Sequence, residues 1–127
     1  MTKKKADSST NPASPEEVKN EAVDVLRAQH NFIDSNFEKL MKAADGDSAK
    51  ITQLKRAYLV SYDQFWEAVA RTFAANQPIV KQLSVDMAAA QKDIKAELDN
   101  LKDVAKVFQL LTSIIGMAAS LLMLASA

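Results

Sequence analysis

The stretch VFQLLTSIIGMAASLLMLASA, residues 107–127, carries no charged side chain. It reads either as a membrane span or as the dry centre of a helical bundle, and the rest of the fold depends on that choice. Twenty-one helical residues rise about 31 Å at 1.5 Å per residue, close to the hydrocarbon thickness of a bilayer. Lys102 and Lys106 flank the run on its N-terminal side, which would keep the preceding body cytoplasmic under the positive-inside tendency.

An apolar run in this position has the layout of a tail anchor. On the membrane reading, Phe108, Leu111, Ile114, Ile115, Leu121, Leu122 and Leu124 form the inserting surface. Thr112, Gly116 and Ser120 lie four apart, and Gln109 and Ser113 flank the same face. Small residues at that spacing let helices approach closely in lipid, so these five positions form a candidate oligomer seam. The soluble reading uses many of the same residues. Lys102, Lys106, Gln109, Ser113, Gly116 and Ser120 make one line down the helix, which suits a narrow water-facing strip on a helix otherwise packed into a core. That reading needs a chain break near Asp99–Asn100, with Asn100 capping a helix that starts at Leu101.

Upstream of the run, apolar residues continue the same spacing: Val80, Leu83, Met87, Ala90, Ile94, Leu98, Leu101 and Ala105, then Phe108, Leu111, Ile115, Ala118 and Leu122. Steps of three and four predict one long helix with a coiled-coil-like seam. It begins at Pro78, which cannot donate to the preceding turn and pushes Gln77 out of the helical region; with Asn76 as a left-handed cap, Asn76-Gln77-Pro78 marks a tight reversal into an antiparallel helix. The helix before that is expected over residues 49–76, with Ile51, Leu54, Tyr58, Leu59, Tyr62, Phe65, Trp66, Val69 and Phe73 as its apolar face. Its aromatic cluster reads as core, with an interfacial belt at a membrane as the sharper alternative.

The first helix is expected over residues 15–44. Ser14-Pro15-Glu16-Glu17 combines a cap, a first-turn proline and a reciprocal capping glutamate. Asp45-Gly46-Asp47-Ser48 ends it: Gly46 suits the left-handed position, and Asp47 or Ser48 can cap the second helix. The same four residues lack the alternating ligands of a calcium loop. Residues 1–13 are polar and rich in Ser and Pro and read as a disordered leader. The expected division is thus a leader at 1–13, a helical body at 14–106 and a hydrophobic C-terminal helix at 107–127.

Composition supports helices. Of 127 residues only two are glycine and three proline, with 48% hydrophobic and 25% charged, so little interrupts the backbone ladder. The fold class is all-α: an antiparallel three- or four-helix bundle, or a long helical hairpin, with a very hydrophobic last helix. Sixteen basic and sixteen acidic residues cancel, which disfavours nucleic acid as a partner because phosphate neutralisation needs a basic excess. There is no cysteine and a single histidine, which leaves no thiol nucleophile and no His pair for a metal. His30 reads as an ordinary residue on the polar side of the first helix. Glycine-rich phosphate loops are absent as well.

No enzyme, cofactor, metal or small-molecule substrate is therefore expected. The expected function is non-enzymatic: association with membrane lipid through the C-terminal helix, and assembly with itself or a partner chain through helices. The alternatives are a soluble cytoplasmic interaction bundle whose last helix is core, and a switchable pore-forming component.

Overall fold

The computed structural model describes residues 13–75, 77–100 and 103–126. Expectations placed on residues 1–12, Asn76, Leu101, Lys102 and Ala127 lie outside those residues. The fold is all-α, with five helices among the described residues: α1 (Pro15–Ser35), α2 (Phe37–Ala44), α3 (Ser48–Ala70), α4 (Pro78–Asn100) and α5 (Val104–Leu122). Two short extended pieces, β1 (Thr72–Phe73) and β2 (Ala125–Ser126), pair antiparallel, Thr72 with Ser126 and Phe73 with Ala125.

The first helix starts where the capping signals put it. Ser14 Oγ accepts from the Glu17 amide at 3.1 Å, and Glu17 Oε1 accepts from the Ser14 amide at 2.8 Å, so two otherwise free donors are satisfied reciprocally. The expected single helix over residues 15–44 is instead interrupted at Asn36. The Asn36 side-chain amide donates to the Phe32 carbonyl at 2.8 Å, alongside the Asn36 backbone amide at 3.1 Å. This local competition for one carbonyl interrupts the helical ladder between α1 and α2. The turn after α2 holds Asp45 and Gly46 at positive φ, 48° and 80°. Asp47 then caps α3 by accepting from the Ala49 and Lys50 amides at 2.9 and 3.2 Å.

Helix α3 ends at Ala70 rather than near residue 76. Phe73 continues the helical spacing of the apolar face in sequence, but it reaches the core (4% exposed) from an extended segment. The backbone of β1 is satisfied by β2 instead of by another helical turn. The link from α3 to α4 is therefore a crossing connection, not the tight reversal expected. It carries the chain to the opposite corner of the bundle, so α3 and α4 share little contact. Helices α1 and α5 each pack against both of them and only lightly against each other. Around the bundle the order is α1, α3, α5, α4.

A second correction concerns the long helix expected from Pro78 through residue 122. It breaks between Asn100 and Val104, and α5 folds back along α4. Asp103 accepts from the Lys106 amide at 3.0 Å and caps the new helix, while Asn100 turns its side-chain amide onto the Ala96 carbonyl at 3.2 Å. The break thus falls where the soluble reading required one, with Asp103 rather than Asn100 as the cap. The coiled-coil seam is interrupted there, and Ala105, one of its expected members, is exposed.

The core consists of two apolar clusters. One gathers Ile33, Leu40, Leu54, Ile94, Leu111 and Ile114; the other gathers Val18, Leu26, Val80, Met87, Leu121 and Leu122. Fully burying an aliphatic side chain stabilises by about 1.5–3 kcal/mol, and both clusters contain residues from α1, α4 and α5 that are 0–6% exposed. Helix α5 is therefore a wall of each.

Candidate functional site

Helix α5 is the candidate site, since it has the length and composition of a membrane span. Its most apolar 18-residue window has a mean hydropathy of 1.6, and Lys106 is the one charge among the 19 residues of the helix. Val107, Phe108, Leu111, Ile114, Ala118, Leu121 and Leu122 are buried against the body, and Ile115 and Leu124 are half-buried. The expected inserting residues thus face the core of the bundle in this conformation. Lys106, Gln109, Thr112, Ser113, Gly116 and Ser120 are exposed along the opposite side. A Cβ added at Gly116 meets nothing within 4 Å, so Gly116 and Ser120 face outward, while Thr112 at the head of the stripe meets Gln53 of α3. Lys106 Nζ lies 3.7 Å from Glu97 Oε2 across the α4–α5 turn.

Two glutamines on α3 reach α5. Gln53 Nε2 donates to the Phe108 carbonyl at 2.8 Å and to Thr112 Oγ1 at 2.7 Å, and Gln64 Nε2 donates to the Ile115 carbonyl at 3.3 Å. Between those two contacts the α3–α5 interface opens into a groove of about 150 Å³, walled by Ala57, Val60, Leu111 and Ile115.

Gln64 belongs to a polar layer that sequence reading missed. Gln29 on α1 and Ser61 and Gln64 on α3 are 0, 1 and 7% exposed, and they occupy core rows between the two apolar clusters. Core positions step Ala22, Leu26, Gln29, Ile33 along α1 and Leu54, Ala57, Ser61, Gln64, Ala68 along α3. Those steps of three and four were the available signal. Both amide atoms of Gln29, and Oε1 of Gln64, have no hydrogen-bond partner among the described residues. Each such buried group costs about 1–3 kcal/mol relative to its hydrated state.

His30 sits at the margin of this layer and is not an ordinary surface residue. Its Nδ1 is 2.9 Å from Ser61 Oγ. Ser61 Oγ also lies 3.0 Å from the Tyr58 carbonyl, which can accept its hydroxyl proton. The imidazole packs against Tyr58 and Tyr62 with centroids 4.9 and 5.4 Å apart. Nothing nucleophilic beyond Ser61 adjoins it among the described residues, and Ser61 Oγ is already engaged with both His30 and the Tyr58 carbonyl. Among the described residues no three His, Asp or Glu side chains converge.

The aromatic cluster of α3 and β1 divides between core and surface. Phe73 is buried, Tyr58 and Phe65 are half-buried, and Leu59, Tyr62 and Trp66 stand 62, 49 and 50% exposed in a line on the outer face. The Arg27 guanidinium lies 5.3 Å from the Phe65 ring centroid. Comparison with family models, with curated proteins and with solved structures gives no match to this chain.

Proposed function

We propose that this chain is a non-enzymatic helical bundle that keeps a span-length apolar helix packed against its body in water and gives that helix to a membrane on contact. The observation that carries the reading is α5 itself: a 19-residue helix whose most apolar 18-residue window has a mean hydropathy of 1.6 and is only one-third buried. At 1.5 Å per residue it is about 28 Å long, enough to cross a hydrocarbon core. Lys106 would remain at the cytoplasmic surface with the body. The outward stripe of Thr112, Gly116 and Ser120 would then meet the same stripe of a second copy or a partner helix.

Flotation tests this directly. Purified protein is expected to stay soluble without detergent, to float with lipid vesicles, and to resist alkaline extraction afterwards. Protein that never floats with vesicles of any headgroup charge sinks the membrane reading.

The exposed line of Leu59, Tyr62 and Trp66 supports a second reading, a soluble interaction module that presents this ridge to another protein. That module would remain in the supernatant, and α5 would serve only as core.

A further inference from the structure

The four long helices are associated as two pairs. The most extensive contacts in the molecule join α4 to α5 and α1 to α3, and the two pairs meet through the lesser α3–α5 and α1–α4 contacts. Three features mark the plane between the pairs. The buried polar layer of Gln29, Ser61 and Gln64 lies wholly on the α1–α3 side. The groove of about 150 Å³ interrupts apolar packing between α3 and α5. The polar bonds that cross from α3 to α5 come from Gln53 and Gln64, and Gln64 leaves its Oε1 unpartnered.

We infer that this plane is a built-in parting seam: the α4–α5 pair separates from the α1–α3 pair as a unit, water reaches Gln29 and Gln64, and the apolar face of α5 becomes available to a bilayer. An amide that lacks partners when buried regains them on hydration, so the polar layer favours the open form over the closed one. Within the α4–α5 pair every fully buried residue is apolar; the one unpartnered polar atom there, Glu97 Oε1, belongs to a partly exposed carboxylate whose Oε2 already faces Lys106 Nζ at 3.7 Å, so parting there would expose mainly hydrocarbon. The seam is thus the surface along which opening costs least. This inference rests on the proposed membrane role, since it assigns the step that precedes insertion.

The test replaces both amides by apolar groups of similar size, Gln29→Leu with Gln64→Leu, and leaves α5 untouched. A stability control, Thr52→Ala with Val85→Ala, raises helix propensity at two exposed positions away from the seam. Thermal melts and amide exchange of α5 are followed in plain buffer, and flotation with anionic vesicles is followed in parallel. The expected result is a higher Tm for both double variants. Only the glutamine variant slows exchange along α5 selectively and reduces vesicle binding at least tenfold.

Unchanged vesicle binding by the glutamine variant overturns the inference. So does an unchanged or lower Tm, and so does an equal loss of binding in the control. If wild-type protein fails to float while the glutamine variant still slows α5 exchange selectively, the seam stands and the membrane reading falls.

Discussion

The α1–α3 pair and the α4–α5 pair are bound in different ways. The buried polar side chains of the described residues, Gln29, Asn36, Ser61 and Gln64, lie on α1, on α3 or at the break just after α1. That pair is keyed by directional contacts: His30 to Ser61, His30 edge-on to Tyr62, Arg27 over Phe65. In α4 and α5 the buried residues are all apolar. Hydrophobic burial is large but non-directional, whereas a hydrogen bond fixes register. The first pair thus specifies alignment, and the second supplies adhesion to whatever apolar surface it meets.

Truncation after Lys106 is the most severe way to break this contrast. It removes α5 residues that wall both apolar clusters, and we expect loss of the cooperative thermal transition by circular dichroism. A truncated chain that melts cooperatively would show that the keyed pair and α4 suffice. Leu111→Ala should cost about 2–5 kcal/mol in denaturant unfolding, because Leu111 is fully buried and a cavity would remain.

Ser61→Ala sharpens the comparison from the other side. It removes the hydrogen-bond partner of His30 Nδ1, with an expected loss of about 1–2 kcal/mol and a shift of the His30 ring resonances in NMR spectra. Gly116→Ala should instead stabilise the soluble form by about 0.8 kcal/mol, since the position is exposed, helical and open. Gly116→Leu extends that test: if the outer stripe mediates assembly in lipid, cross-linked oligomers should disappear while the soluble fold persists.

The smallest effect is expected at Asp47. The Lys50 backbone amide and then its ammonium group hold this carboxyl below its ordinary value of 3.8. A depressed folded pKa means that the charge contributes fully above the unfolded value and is lost as pH falls through the lower folded one. Asp47→Asn should therefore lower Tm slightly at neutral pH, with the gap from wild type closing on acidification below 3.8.

Much of the fold was legible in the sequence because its signals are local. The Ser14 capping box, the Asp45–Ser48 turn and the Pro78 start each depend on residues within one helical turn. The outer strip of α5 was legible too, since helical period alone fixes which residues share a face. What period does not encode is which helix a face meets. The crossing from α3 to α4 and the placement of Phe73 by β1 are set by pairing with residues near the other end of the chain. The polar layer was missed for a different reason. Glutamine in a core row looks like an exposed residue until the rows above and below it are counted. His30 was misread because its partners, Tyr58, Ser61 and Tyr62, lie on another helix.

The β1–β2 ladder has a consequence for the order of folding. It pairs Phe73 with Ala125 and so closes a loop containing the whole of α4 and α5. Closing so long a loop costs chain entropy that two residue pairs repay poorly, and neighbouring helices can zip together first at much shorter range. The ladder should therefore be among the last contacts made during refolding and among the first lost as the native state breathes. It works as a late clasp: while it is shut, both ends of the α4–α5 pair are moored to the body, and its opening leaves the far end of α5 as the leading edge of any larger excursion.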